Sequence, residues 1–260
     1  MNYGFLGCGN MAGAIISGMV KGGFSPNNIF VYDVSKETLN NVAAQTGIIP
    51  LSSEEEVIKN SDTILLGVKP NILPGLLPKL KDAILEKNPL MISIAAGKNI
   101  SFYEEILGEN IRFIRVMPNI NAKVLAACSA FCPNKNATEK DEETVAKMFE
   151  AVGSAEKIKE ELFAVFMSVA GAAPAYSYMF IDSLARGAQM YGLPRNLAIK
   201  FAAETVLGSA KMILESSEHP MDLTDKVCSP AGTTIEGVYT LKKSAFEAAV
   251  MAAVEAAYLK

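Results

Sequence analysis

The feature that most constrains this chain is a glycine-rich turn close to its start. Residues 3–6 form a short apolar run, and Gly7-Cys8-Gly9-Asn10-Met11-Ala12 follows at once and opens a helix-like stretch. With this G-x-G-x-x-A spacing, the first glycine makes the turn, the second lets the backbone approach a pyrophosphate, and the small third residue lets the helix pack closely on the strand. A second β-rich run, residues 28–32, ends at Asp33, an acid 21 residues after Ala12. The pattern predicts a dinucleotide-binding unit, with an ordinary tight turn as the alternative.

The pattern of the chain changes after about residue 155. Before it, strand-like and helix-like segments alternate, which is typical of a parallel sheet with helices on both faces. The strand-like runs are 3–6, 28–32, 63–68, 90–95, 111–117 and 125–131, and the clearest helix-like segments between them are 36–46, 71–88 and 101–107. Beyond it, helical patterns cover 160–191, 195–217 and 244–259. We expect an α/β chain, with an N-terminal Rossmann-type doubly wound sheet in residues 1–155 and an all-α C-terminal dimerisation domain in residues 156–260. The alanine-rich last stretch indicates close helix packing and apolar surface that a second subunit buries.

Composition excludes several classes of protein. Half of the 260 residues are hydrophobic, which excludes a disordered tail protein. The net charge of −4 is shared between the two parts, and neither has the basic field of a nucleic-acid binder. With a single histidine, His219, and four cysteines that form no CxxC pair, no metal site is expected. Free thiols favour a reducing compartment, so we expect a cytoplasmic location.

Two uncharged stretches resemble membrane segments in composition. Residues 1–20 lack the basic start of a signal peptide and contain five glycines. Residues 162–181 are long enough to cross a bilayer, but Gly171 and Pro174 interrupt them. We therefore expect a buried helix pair and no membrane partner.

Residues just after the predicted strands are candidates for cofactor contacts. Asp33 favours NAD, because a carboxylate there binds a free ribose hydroxyl and repels a 2′-phosphate. Ser35 and Lys36 lie just beyond it and are placed to receive that phosphate, although Lys36 can equally be a solvated helix-start charge. The sequence leaves the choice between NADH and NADPH open.

Three further strand ends carry suitable residues. Gly67-Val68-Lys69-Pro70 lies where open α/β sheets bind their ligands, so Lys69 is predicted to contact the cofactor, with a plain surface charge as the alternative. The small residues of Ser93-Ile94-Ala95-Ala96-Gly97 leave space for a nicotinamide. Met117-Pro118-Asn119 occupies the equivalent place one strand later.

The strongest signal in the second part is Ser229-Pro230-Ala231-Gly232-Thr233-Thr234. It precedes a helix-like stretch, and its hydroxyls and backbone N–H groups can hold a carboxylate. An ordinary N-cap loop is the alternative. Next to a dinucleotide domain, this polar loop is the natural substrate pocket.

Together, eight short segments resemble the pyrroline-5-carboxylate reductases. They occur in order over nearly the whole chain: FLGCGNM (5–11), GVKP (67–70), SIAAG (93–97), RVMPN (115–119), GLPR (192–195), GSAKMILES (208–216), HP (219–220) and SPAGTT (229–234). The combination of MPN with SP-x-GTT is the specific part of the match. The resemblance implies a metal-free enzyme that uses NADPH or NADH to reduce 1-pyrroline-5-carboxylate to L-proline, the last step of proline biosynthesis. It also implies a helical domain that forms a homodimer, and dimers that often assemble into a decamer.

The resemblance also implies roles for individual residues. The implied cofactor contacts are Leu6, Gly7, Cys8, Gly9, Asn10, Met11, Val68, Lys69, Pro70, Ala95, Ala96 and Gly97, to which the strand ends add Asp33, Ser35, Lys36 and Asn119. The implied substrate contacts are Ser229, Gly232, Thr233 and Thr234, with Glu160 at an acidic pocket position. Thr234 is the expected catalytic residue, because its hydroxyl orients the imine nitrogen. The imine arrives protonated or takes its proton from water.

The chain departs from the family pattern at three places. The segment 170–176 loses a hydroxyl, and Glu54 or a neighbour replaces an asparagine often used near the adenine ribose. Ala231 stands where the family has glycine, and alanine resists a positive φ.

Two other functions are weighed against the reductase. A non-catalytic dinucleotide sensor would have an empty second pocket, and the intact 229–234 loop argues against it. A β-hydroxy-acid dehydrogenase needs a proton-transfer lysine in its helical domain, and neither Lys200 nor Lys211 lies in a motif for that role.

Overall fold

The computed structural model describes residues 1–260, which divide into two compact units, Met1–Gly171 and Ala172–Lys260. The strands of the first unit are β1 (Tyr3–Leu6), β2 (Ile29–Tyr32), β3 (Ile49–Pro50), β4 (Thr63–Leu66), β5 (Leu90–Ser93), β6 (Arg112–Met117), β7 (Ala127–Pro133) and β8 (Gly153–Lys157). They form one sheet in the order β3-β2-β1-β4-β5-β6-β7-β8, and only the β6–β7 pair is antiparallel. The predicted doubly wound α/β fold is confirmed.

Seven α-helices accompany this sheet: α1 (Asn10–Lys21), α2 (Lys36–Thr46), α3 (Glu54–Asn60), α4 (Leu73–Lys87), α5 (Ile100–Leu107), α6 (Glu139–Glu150) and α7 (Phe163–Phe166). Four of them begin at a side chain that accepts the N–H three residues on: Ser35 for α2, Ser53 for α3, Asn99 for α5 and Thr138 for α6. Such caps satisfy backbone donors that have no partner within the helix. Helix α1 has no side-chain cap.

The sheet is covered on both faces. Side chains alternate along β1, so that Phe5 packs with α1, α2 and α6 while Leu6 packs with α3, α4 and α5. Every residue of β4 and β5 is buried. This double burial explains why those strands are continuously apolar in sequence.

The far edge of the sheet differs from the predicted pattern. The strand predicted at 125–131 begins at Ala127, because Leu125 ends a short 3₁₀ helix in the left-handed conformation, with φ of 58°. The same 3₁₀ helix, Ile120–Val124, turns the chain back, which makes β7 antiparallel to β6. Strand β8 was not predicted, since its sequence GSAEK lacks β-branched residues and acquires its structure by pairing with β7.

The second unit is all-helical, as predicted. Its helices are α8 (Ala173–Met190), α9 (Arg195–Ser216), α10 (Pro220–Val227), α11 (Thr233–Lys243) and α12 (Phe246–Tyr258). Helices α8 and α9 meet through Ala185, Ala198 and Ala202, whose small side chains are buried.

The helix predicted over 160–191 is interrupted. The segment consists of a 3₁₀ turn at Glu160–Leu162, α7, a π-helical turn at Met167–Gly171 and then α8 with Pro174 in its first turn. Glu160–Met190 is the one helical stretch long and apolar enough to cross a membrane by length and composition alone. Residues 156–171 belong to the first compact unit, and the domain boundary after residue 155 stays a prediction.

Candidate functional site

The glycine-rich turn lies where two backbones approach each other. Gly7 has φ of 93°, and a Cβ atom there would lie 3.0 Å from the carbonyl carbon of Gly67. A Cβ atom on Gly67 would lie 2.6 Å from the oxygen of Gly7 and 2.7 Å from the Cβ of Ala12. These two glycines are therefore required by the fold itself.

Gly9 has a different reason to be glycine. Its φ of −64° and ψ of −169° suit any residue, and a Cβ atom there would meet no protein atom within 4 Å. Gly9 also precedes α1, whose first turn has neither a side-chain cap nor an acidic residue. Open space beside free helix N–H groups is what a pyrophosphate needs, so this turn fits a dinucleotide.

Asp33 braces this turn. Its Oδ2 accepts the Cys8 N–H at 2.8 Å, and its Oδ1 accepts the Ser35 N–H at 2.8 Å. Burial, together with the adjacent Asp33 charge, raises the pKa of the Cys8 thiol to about 12, so Cys8 is an uncharged wall of the site. The Ser35 hydroxyl caps α2 by accepting the Thr38 N–H.

A cavity of about 800 Å³ opens next to the turn, along the carboxyl ends of β1, β4 and β5. Its charged lining residues are Lys21, Lys69 and Lys123, with no acidic residue among them. Although the whole chain carries a net negative charge, the lysines give this cavity a local positive charge, which suits an anionic ligand.

The cavity collects many of the predicted cofactor residues. Those that line it are Cys8, Gly9, Asn10, Met11, Val68, Lys69, Pro70, Ala95 and Ala96. The predicted residues outside its lining are Leu6, Gly7, Asp33, Ser35, Lys36, Gly97 and Asn119. Sequence reasoning missed polar residues on α1, α2 and the 3₁₀ helix, namely Ser17, Lys21, Thr38, Asn41, Gln45, Thr46 and Lys123. A helical spacing of Thr38, Asn41 and Gln45 on one face of α2 was the available signal.

Besides Gly7, Asp33 and Ser35, two more of the residues outside the lining have structural roles. Leu6 is 1% exposed and belongs to the core under α3 and α4. Asn119 is buried, donates from Nδ2 to the Ala170 oxygen at 3.0 Å and accepts the Cys128 N–H at 3.2 Å. Asn119 thus ties the end of β6 to β7 and to the π-helical turn.

The turn after β5 is fixed at its start by a buried hydroxyl pair. The Ser93 and Tyr103 hydroxyls are 2.5 Å apart, and Ser93 Oγ accepts the Ala95 N–H at 3.2 Å. Burial raises the pKa of Tyr103, which keeps its hydroxyl protonated. Ala95 and Ala96 are therefore presented to the cavity on a supported backbone.

Glu160 lies within the first unit. Its Oε1 accepts the Ile100 N–H at 2.7 Å and pairs with Arg115 at 3.0 Å. Its predicted contact with the substrate stays a prediction.

The loop 229–234 begins a helix in the second unit. Gly232 is the N-cap of α11, so this helix has no side-chain cap. The Gly232 N–H donates to the backbone carbonyl oxygen of Ser229 at 3.0 Å. Ala231 adopts φ of 56°, so the left-handed conformation that alanine resists is present here. Ser229 and Thr233 are exposed, and Thr234 is partly buried. The loop therefore offers hydroxyls beside free helix N–H groups, as the sequence predicts for a carboxylate.

Other candidate groups do not line the cavity and make local contacts. The single histidine, His219, caps α10 by accepting the Met221 N–H on Nδ1 at 3.2 Å. Lys200 and Lys211 are exposed and face Glu204 and Glu215 one turn away on the same helix. No group of three or more His, Cys, Asp or Glu residues is arranged to hold a metal ion, and all four cysteines are free.

The doubly wound sheet, the uncapped glycine-rich turn and the cavity at the strand ends define a dinucleotide-binding protein of the Rossmann type. In agreement, residues 2–97 match the family described as NADP oxidoreductase coenzyme F420-dependent, and residues 160–260 match the family described as pyrroline-5-carboxylate reductase dimerisation. A pyrroline-5-carboxylate reductase from Methanosarcina acetivorans is 42% identical over 96% of this chain and 93% of its own length. The chain belongs to the pyrroline-5-carboxylate reductase family.

Solved structures agree with this assignment. A pyrroline-5-carboxylate reductase from Coxiella burnetii superposes with a TM-score of 0.95 at 29% identity, covering 99% of this chain and 96% of that one. A pyrroline carboxylate reductase from Plasmodium falciparum with NADP bound gives 0.86 at 34% identity, covering 99% and 95%. The family resemblance drawn from the sequence motifs is confirmed.

Proposed function

We propose that this chain reduces 1-pyrroline-5-carboxylate to L-proline with a reduced nicotinamide cofactor. The observation that carries the proposal is that one chain of this family combines two uncapped helix starts, at Gly9 and at Gly232, each suited to an anion. The first helix start lines the 800 Å³ cavity and suits the pyrophosphate of the cofactor. The second carries the hydroxyls of the 229–234 loop and suits the substrate carboxylate.

In the proposed reaction, the side chains bind and orient the substrate and do not react with it. When bound, the reduced cofactor supplies a hydride, and the imine carbon of the substrate, which becomes Cδ of proline, accepts it once the imine nitrogen is protonated or hydrogen-bonded. The α11 N–H groups and the Ser229 and Thr233 hydroxyls bind the carboxylate, and the Thr234 hydroxyl orients the nitrogen. Because the 229–234 loop contains no acidic or imidazole side chain, the proton comes with the substrate or from water in this proposal. The rate then depends mainly on how well the two reactants are held.

We propose NADPH as the preferred cofactor. Both Asp33 oxygens already accept backbone N–H groups, which weakens the argument that this carboxylate binds a free ribose hydroxyl. The charged groups around the cavity are lysines, which favour an additional phosphate. Lys36 is exposed at the first position of α2, directly after Ser35, and its flexible side chain is placed to receive that phosphate.

We further propose that the chain is a cytoplasmic homodimer, with dimers that assemble into a decamer. Support for the dimer comes from the match of residues 160–260 to a dimerisation family and from the apolar surface of the second unit. Four free cysteines support a reducing location.

The test is steady-state reduction of 1-pyrroline-5-carboxylate with NADPH and with NADH, followed by the loss of cofactor absorbance and by chromatographic detection of proline. We expect proline to form in a one-to-one ratio with cofactor oxidised, and a higher kcat/KM with NADPH. Tight NADPH binding without turnover would favour the sensor instead. Oxidation of a β-hydroxy acid with NADP⁺, without reduction of 1-pyrroline-5-carboxylate, would favour the dehydrogenase.

A further inference from the structure

We infer that Glu160 and Arg115 form a positioning pair that holds the nicotinamide-facing turn after β5, which comprises residues 94–99. The inference rests on the proposed function, since it concerns the geometry of the same hydride transfer. The pair acts through Ala95 and Ala96, which line the cavity.

The turn is anchored at both ends, and the two anchors differ in origin. At its start, the Ser93–Tyr103 hydroxyl pair holds the Ala95 N–H within the same β5–α5 segment. At its end, Ile100 is the first residue of α5, and its N–H has no partner in its own helix. Glu160, 60 positions further along the chain, supplies that partner at 2.7 Å.

Arg115 fixes the direction of the Glu160 carboxylate. One guanidinium nitrogen contacts Glu160 Oε1, and the guanidinium lies 4.3 Å from the centre of the Phe163 ring. The Arg115 side chain is 11% exposed, and its Nε is buried without a hydrogen-bond partner. A guanidinium held this way on an aromatic face has little freedom to move, so Oε1 stays aimed at the Ile100 N–H.

A short segment connects the Ile100 anchor to the residues that line the cavity. Ala96 and Gly97 form a tight turn, with Gly97 at φ of 72°, only three residues before Ile100. If the Ile100 anchor is lost, this turn shifts relative to β5, and Ala95 and Ala96 shift with it. Hydride transfer is sensitive to such shifts, because a displacement of about 1 Å can lower a rate by about a hundredfold.

The experiment compares Glu160→Ala, Glu160→Gln and Arg115→Met with the neighbouring control Glu161→Gln. Glu161 is exposed and its only ion pair is a long one, 3.8 Å to Lys159. Stopped-flow single turnover measures hydride transfer, steady-state kinetics gives KM for the substrate, and fluorescence titration gives Kd for NADPH. We expect Glu160→Ala and Arg115→Met to slow hydride transfer about ten- to a hundredfold, with KM and Kd changed by less than about threefold.

Glu160→Gln should recover part of the rate, because an amide oxygen still accepts the Ile100 N–H, and Glu161→Gln should behave as the wild type. The inference is overturned if hydride transfer stays within about twofold of the wild type, or if KM alone rises, which would make Glu160 a substrate contact. If Glu160→Ala does not fold, Glu160→Gln and Arg115→Met decide by the same readouts. A wild-type chain without reductase activity would refute the proposed function, whereas active wild type with unaffected variants refutes only this inference.

Discussion

At the scale of single residues, Asp33 has a structural role beside the ribose contact that its motif predicts, and that contact stays a prediction. Its carboxylate accepts two backbone N–H groups, from Cys8 and Ser35, and so connects the glycine-rich turn to the start of α2. Each of these hydrogen bonds to a charged acceptor contributes about 1.5–3 kcal/mol. The position of the whole turn therefore depends on Asp33.

We expect Asp33→Ala to lower the affinity for NADPH and for NADH together, by about tenfold or more, because the turn that both cofactors share loses its brace. Fluorescence titration of each cofactor measures this. Asp33→Asn keeps one acceptor oxygen and should lie in between. A selective gain for NADPH of about tenfold would mean instead that Asp33 faces the ribose, as its motif predicts.

Thr234 is the residue on which the substrate assignment depends. Thr234→Ala removes the hydroxyl proposed to orient the imine nitrogen and leaves the backbone N–H groups of α11 in place. Since such a hydrogen bond contributes about 1.5–3 kcal/mol, kcat/KM should fall about ten- to a hundredfold, while NADPH affinity is unchanged. Steady-state kinetics and NADPH titration check both expectations.

Thr234→Ser is the matched control, because it keeps the hydroxyl and removes only the methyl group. It should recover most of the rate. Equal loss in the Ala and Ser variants would assign the effect to packing of the methyl group. Full activity in both would place the substrate pocket elsewhere.

At the scale of elements, Gly9 after β1 and Gly67 after β4 are glycines for different reasons, so we expect substitution of the first to affect ligand binding and substitution of the second to affect stability. Gly9→Val should abolish nucleotide binding and leave the fold intact, because its extended backbone suits valine and the added atoms enter open space. Gly67→Ala should lower the free energy of unfolding by about 1–3 kcal/mol, because its Cβ meets the Gly7 oxygen and Ala12. Urea unfolding and NADPH titration of both variants test this contrast. A folded Gly9→Val variant with wild-type affinity would contradict the dinucleotide assignment.

The elements that the sequence predicted best are those whose own pattern decides their structure. β1, β2, β4 and β5 are apolar throughout or alternate, and they are flanked by glycines and helix caps, so local signals suffice. Strand β8 was missed, because its pairing with β7 creates it. Gly171 and Pro174 did predict a break in the following helical stretch, but no local signal predicted the π-helical turn at Met167–Gly171. The candidate site could be predicted only in part for the same reason, which is that contacts between residues distant in sequence decide the roles. Which strand-end residues bind a ligand and which, like Asn119, tie strands together depends on contacts that no motif records.

At the scale of the whole molecule, the two units differ in how their apolar residues are used. Of the 33 large hydrophobic side chains that are exposed, 23 belong to the second unit, including Tyr191 and Leu214. A single chain with this much exposed apolar surface gains stability when a second copy covers it. Folding and association of the helical unit should therefore be coupled.

We expect the midpoint of thermal unfolding to rise with protein concentration, because the dimer dissociates when its chains unfold. A hundredfold increase in concentration stabilises a dimer by about 2.7 kcal/mol, or about half of that for each chain. For a chain of this size that corresponds to a rise in Tm of about 3–5 °C. Calorimetry over that concentration range, with sedimentation equilibrium on the same samples, measures both quantities. A Tm independent of concentration, together with a monomer mass, would contradict the proposed dimer, and it would leave the exposed face of α9 without the partner that its leucines require.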